Sequence, residues 1–136
     1  IACDIAVLSA AVADYKPTEV SDIKIKKKDS ELFLTLTKTV DVLETLGKLK
    51  TKQVLVGFAL ETNKLIEYAK EKIKKKNLDF IVANSTADEG AGFGLDTNKI
   101  TIIDKHNNLT NFELKSKQEV ASDIVNYAIQ IVNKHV

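Results

Sequence analysis

The sequence predicts an α/β fold: a parallel sheet core flanked by helices, with two added β-hairpins. Three observations carry this expectation. Short apolar runs occur at Ile1–Ser9, Gln53–Leu60 and Leu78–Asn84, as buried parallel strands require. Amphipathic stretches with helical spacing separate them or follow them. Two pairs of alternating segments, 23–37 and 99–114, interrupt that rhythm with hairpin patterning. Apolar strands alternating with amphipathic helices give a Rossmann-like layered arrangement.

Taken in order, Ile1–Ser9 is the first strand. Ile23–Lys28 alternates, with Ile23 and Ile25 on one face and Lys24, Lys26 and Lys28 on the other. Asp29-Ser30 is turn chemistry, and Leu32, Leu34 and Leu36 alternate in the return strand, so 23–37 reads as a hairpin. In Asp41–Lys50, Val42, Leu43, Leu46 and Leu49 fall at helical spacing. Gln53–Leu60 is the second strand. Thr62 or Asn63 caps a helix that reaches about Lys76, with Leu65, Ile66, Ala69 and Ile73 as its buried stripe. Leu78–Asn84 is the third strand, followed by a glycine-bearing loop. Lys99–Asp104 and Leu109–Leu114 flank His106-Asn107-Asn108 as the second hairpin. Ser116 and Glu119 have capping-box spacing and open a last helix with Val120, Ile124, Ala128, Ile131 and Val132 inward.

With 136 residues, 44% of them hydrophobic, the chain suffices for one domain with a real core. Its 20 basic and 19 acidic residues nearly cancel, so no global field points to nucleic acid or a membrane surface. All the basic residues are Lys, whereas a phosphate-backbone reader would draw on the Arg fork. Cys3, the single cysteine, reads as a buried thiol of the first strand and suits a cytoplasmic setting. No apolar run is long enough to span a bilayer. The sequence has no Met and opens in an apolar run. The expectation is therefore that 1–136 is the C-terminal portion of a longer domain, lacking its N-terminal elements.

In open parallel sheets ligands gather beyond the carboxyl ends of the strands. That rule selects Ser9–Asp14, Phe58–Asn63 and Asn84–Gly94. Small residues before Asp14 let a ligand approach the backbone, and Asp14 is either an acceptor for a sugar hydroxyl or base amine or a turn residue. Phe58 is either a stacking platform or a core ring. Lys72 and Lys76, four apart with no acid at helical spacing inside the expected helix, repel each other unless a polyanion joins them or the helix dipole compensates. Lys24, Lys26 and Lys28 either guard a strand edge or form an anion-binding flap. Gly90, Gly92 and Gly94 lack the Lys-Ser/Thr of a phosphate loop. His106 and His135 have no partners at zinc-ligand spacing.

Five ordered stretches, "AAVADYKP", "KIKK", "VGFALET", "KIKKKNLDFIVAN" and "GFGLDTN", closely resemble the phosphopantothenoylcysteine synthetase family along nearly the whole chain. The resemblance implies a coenzyme A pathway ligase, often fused behind a flavin-dependent decarboxylase, with FMN relevant only to such a fusion. It implies that CTP activates 4′-phosphopantothenate as an acyl-cytidylate with release of pyrophosphate. Cysteine then attacks, giving the amide and CMP, with Mg²⁺ neutralising phosphate charge. It further implies a homodimer. By position, Leu8, Ser9 and Ala10 would line the CTP pocket and Asp14 would bind the nucleotide. Lys24 would be the essential lysine of activation. Val40, Asp41, Val42 and Leu43 would approach CTP at a helix start, Phe58 would pack on it, and Lys72 and Lys76 would bind it.

The chain departs from the family pattern at Thr39-Val40-Asp41, where Asn-Pro-Asp is common, and at Asn84-Ser85, where Asn-Asp is common. The family's glycine-rich first βα turn and essential asparagine lie upstream of the region present, so 1–136 alone is expected to turn over little or nothing. Two other classes fit the pattern less fully. One is a nucleotide-binding module without catalysis. The other is a Rossmann-like NAD-dependent oxidoreductase, which lacks its G-x-G-x-x-G here.

Overall fold

The computed structural model describes residues 3–26, 32–61, 65–85 and 94–135. In chain order, β1 (Ile5–Val7) opens the sheet, and β2 (Tyr15–Pro17) and β3 (Leu36–Lys38) follow. Next come α1 (Val42–Leu49), β4 (Val54–Glu61), α2 (Leu65–Lys76) and β5 (Phe80–Ser85). The chain continues through β6 (Thr97–Asn98), β7 (Ile100–Asp104), β8 (Leu109–Asn111), β9 (Lys115–Ser116) and α3 (Lys117–His135).

The main sheet has the order β1-β4-β5-β7-β8. β1, β4 and β5 are parallel, and β7 and β8 extend the sheet antiparallel. This is the expected α/β architecture, and the second expected hairpin is β7–β8. Side-chain alternation divides two buried layers. Val54, Val56, Phe80, Val82, Ile100 and Ile102 point to α3, where Val120, Ile124 and Ala128 meet them. Leu55, Ala59, Ile81, Ala83 and Ile103 point to the other face, against Ala69 and Ile73 of α2 and Leu43 and Leu46 of α1. Full burial of one such side chain contributes about 1.5–3 kcal/mol, so the central strands hold the fold.

The helix ends follow their sequence chemistry. Asp41 caps α1 by accepting the Glu44 N–H at 2.9 Å. Ser116 Oγ accepts the Glu119 N–H at 3.3 Å, while Glu119 Oε2 accepts the Ser116 N–H at 3.0 Å, which completes the capping box of α3. α2 ends with Asn77 at φ 51, the left-handed conformation that Asn tolerates. The Leu78 N–H then donates to Ile73 O at 3.0 Å, a Schellman closure.

Two expectations are corrected. Among the described residues the first hairpin does not use 23–26 or 32–35. The antiparallel pair is β2 with β3, which matches Tyr15 with Lys38 and Pro17 with Leu36. Residues 21–26 and 32–35 form no strand, and Ile23 and Phe33 are 80% and 85% exposed. Alternation can select a strand only where one face has something to pack against, and no element of the described residues covers these side chains. Cys3 is exposed rather than buried, because the strand begins only at Ile5. Lys27, Lys28, Asp29-Ser30, the Thr62/Asn63 cap, and Gly90 and Gly92 lie outside the described residues.

Candidate functional site

A cavity of about 490 Å³ opens beyond the carboxyl end of β1. That volume falls in the range of small-molecule sites. Its first wall is the chain leaving β1, with Val7, Leu8, Ser9, Ala10, Val12 and Asp14. Its second wall is the start of α1, Thr39–Leu43. Phe58 of β4 and Lys76 of α2 close it.

The two walls are tied together. The Leu8 N–H donates to Val56 O at 3.0 Å and holds the first wall on the sheet. Thr39 donates its N–H to Asp14 O at 2.9 Å and its hydroxyl to Ala13 O at 2.6 Å. The β2–β3 ladder continues from this point. Asp41 therefore enters α1 at a fixed place beside Asp14.

Lys76 reaches the cavity because α1 and α2 pack closely. Gly47 faces the Lys76 carbonyl, where a Cβ would lie 1.9 Å from the oxygen. The Asn77 side-chain amide donates to Gly47 O at 2.9 Å and locks that contact. From this anchor the Lys76 ammonium extends to Asp41 Oδ2 at 2.8 Å. Burial pushes the Asp41 carboxyl up. The Lys76 hydrogen bond, the Glu44 N–H and the charges of Lys76 and Lys75 outweigh that, and the group stays below its ordinary value. Lys76 is thus not left over among like charges, as local spacing implied. Its partner is 35 positions away in sequence (76 − 41), beyond the reach of any helical-spacing rule.

The arrangement brings together Leu8, Ser9, Ala10, Asp14, Val40, Asp41, Val42, Leu43, Phe58 and Lys76. It does not bring in Lys24 or Lys72. Lys24 borders a separate concavity with Ser21, Asp22, Ile23 and Leu34. Lys72 lies one turn back on α2, half-buried. Val7, Val12 and Thr39 also line the cavity, beyond the residues expected there. Thr39 carried a signal, since it stands where the family pattern departs. At the carboxyl end of β5, Asn84 Oδ1 is buried with no hydrogen-bond partner among the described residues. Those residues hold no cluster of three or more metal-ligating His, Cys, Asp or Glu side chains, and none of their helices is long and apolar enough to cross a membrane.

A family model described as the DNA/pantothenate metabolism flavoprotein C-terminal domain matches residues 1–132. The chain belongs to that family. It is 47% identical over 124 residues to the coenzyme A biosynthesis bifunctional protein CoaBC of Bacillus subtilis (strain 168), covering 91% of this chain and 30% of that protein. It is 55% identical over 132 residues to a cysteine/cysteine sulfinic acid decarboxylase of an unknown prokaryotic organism, covering 96% of this chain and 37% of that protein. The crystal structure of the C-terminal domain of a CoaBC protein superposes with a TM-score of 0.76 at 35% identity, covering 96% of this chain and 56% of that one. The chain thus spans about a third of the length of these curated relatives. The resemblance to phosphopantothenoylcysteine synthetases holds at the level of this family, and so does the α/β sheet flanked by helices.

Proposed function

We propose that the chain is the C-terminal portion of the synthetase domain of a phosphopantothenate–cysteine ligase, a cytoplasmic enzyme that binds CTP in the cavity beyond β1. The observation that carries this reading is the convergence of Leu8–Ala10, Asp14, Val40–Leu43, Phe58 and Lys76 on one cavity of about 490 Å³ in a chain of this family. The small residues Ser9 and Ala10 leave backbone groups accessible to the nucleotide, and Phe58 supplies an aromatic face. Asp14 accepts from a hydroxyl or amine. The first N–H groups of α1 and the Lys76 ammonium favour phosphate. Mg²⁺, when bound, neutralises phosphate charge. Asp14 would supply carboxylate oxygens of the kind it takes.

Lys24 is proposed to stabilise the charge that develops as the carboxylate of 4′-phosphopantothenate attacks CTP and pyrophosphate leaves. Cysteine then replaces CMP in forming the amide. Lys24 lies on the 18–35 connection between β2 and β3 and meets the reacting groups only when that connection lies over a cavity, of its own chain or of a second copy. The exposed Val20, Ile23 and Phe33 on the same connection favour the second copy, and hence a homodimer. A fused decarboxylase portion would bring FMN. The remainder of the domain is proposed to complete the site, so residues 1–136 alone should have little or no activity.

In the full-length protein, pyrophosphate should be released from CTP only when phosphopantothenate is present, and Lys24→Gln should remove that release. No release, or release untouched by Lys24→Gln, overturns the reading. A cysteine decarboxylase, the activity named for the 55% identical relative, would instead release carbon dioxide from cysteine without CTP.

A further inference from the structure

We infer that Asp41 is an internal counter-ion that holds the place of a ligand phosphate on Lys76, so that an anionic ligand must compete with it. The inference rests on the nucleotide reading of the cavity. The two oxygens of Asp41 have separate tasks. Oδ1 accepts the Glu44 N–H at 2.9 Å and caps α1. Oδ2 takes the Lys76 ammonium at 2.8 Å. Lys76 does not depend on Asp41 for its location. Its main chain is pinned to Gly47 by close contact and by the Asn77 amide at 2.9 Å. The ion pair therefore acts through charge more than through placement.

The charge balance of the cavity shows the consequence. Among the residues that line it, Asp14 and Asp41 are acidic and Lys76 is basic. A polyanion entering such a site meets one more carboxylate than ammonium. The pair is partly open to solvent, with side-chain exposures of 21% for Lys76 and 42% for Asp41. A phosphate can therefore reach the ammonium and displace the carboxylate. A highly charged ligand wins this exchange more readily than a weakly charged one, because each added phosphate charge adds attraction to Lys76.

Asp41→Asn separates the two tasks. Asn caps a helix about as well as Asp, so the folding midpoint should hardly move. The carboxylate charge is gone, and Lys76 is released to the ligand. In the full-length protein, with EDTA present, Asp41→Asn should bind CTP about tenfold more tightly than the unaltered protein. Uncharged cytidine should bind both equally. The gain should vanish in the double variant Asp41→Asn/Lys76→Gln, since it runs through Lys76. CTP binding that is unchanged or weaker in Asp41→Asn, or a gain shared by cytidine, overturns the inference and leaves the nucleotide reading standing. Binding of CTP by neither protein, with or without Mg²⁺, overturns both.

Discussion

Asp79→Ala is expected to destabilise the fold by about 3–5 kcal/mol, the cost of stripping one partner from a buried ion network. Asp79 is 4% exposed and is bonded to three other segments. Oδ2 accepts from Lys50 Nζ at 2.7 Å, just past α1, and from the Leu55 N–H at 2.9 Å in β4. Oδ1 accepts from Lys105 Nζ at 3.1 Å, in the β7–β8 turn. Its main chain bonds the same neighbours, donating to Leu55 O and accepting from the Lys105 N–H, both at 2.9 Å. Truncation leaves the Lys50 side chain, 12% exposed, without a counter-charge, and leaves a buried N–H unpaired. Lys105 is 40% exposed and can turn to water, so Lys105→Ala should cost much less. Urea denaturation of the two variants checks the order, and a loss below about 1 kcal/mol for Asp79→Ala would show that the network contributes little.

The same residue sets part of the acid sensitivity. Burial alone would raise the Asp79 carboxyl, but the hydrogen bonds from Lys50, the Leu55 N–H and Lys105 outweigh it and hold the group below its ordinary value. A carboxyl depressed in the folded state binds its proton more readily when unfolded. Its contribution is therefore present above the unfolded value of 3.8 and is lost as pH falls below that value toward the folded one. Denaturation followed from neutral pH to about pH 3 should show this loss, and Asp79→Ala should flatten it. The slope should not disappear, because Asp41 and Asp104 are depressed as well.

Gly47→Ala should destabilise by about 1–3 kcal/mol through overpacking, although Ala is the better helix former by up to about 1 kcal/mol. The new Cβ would stand 1.9 Å from the Lys76 carbonyl oxygen and 2.8 Å from its carbon. These are backbone atoms, so relief requires α1 and α2 to separate. Separation would also withdraw the Lys76 ammonium from Asp41, so CTP affinity should change together with stability. Gly57→Ala is the control. Its Cβ would lie 2.9 Å from the side-chain ends of Leu43 and Leu78, which can rotate. Gly57→Ala should therefore cost less than Gly47→Ala. The reverse order, measured by denaturation, would refute the close-packing account.

What could be read from the sequence was what depends on neighbours a few positions apart. The apolar runs around Val54–Ala59 and Phe80–Ala83 mark strands buried on both faces, and the structure buries them between two layers. The Ser116/Glu119 box forms between residues three apart. Ser9–Asp14 stood out because strand ends are where an open sheet leaves room, whereas Val40–Leu43 came with the family resemblance. Residues 23–26 and 32–35 differ from the expectation because their alternation is local, whereas strand formation needs a partner surface. The Lys76–Asp41 pair and the Asp79 network join residues more than 20 positions apart, as does the Gly47 contact, and no periodicity encodes them. The place of Lys24 depends on what the 18–35 connection packs against, which its own residues do not specify.

The largest fully buried side chains all fall between Val54 and Ile103. The first wall of the cavity, from Leu8 to Asp14, contributes none of them. Hydrogen–deuterium exchange should therefore be graded along the chain. Amides of β4, β5 and β7 should open only with the whole molecule, whereas those of β2 and β3 should exchange through a smaller excursion that leaves the sheet intact. A bound nucleotide would slow exchange most from Leu8 to Asp14, so the protection it confers would map the ligand independently of any turnover.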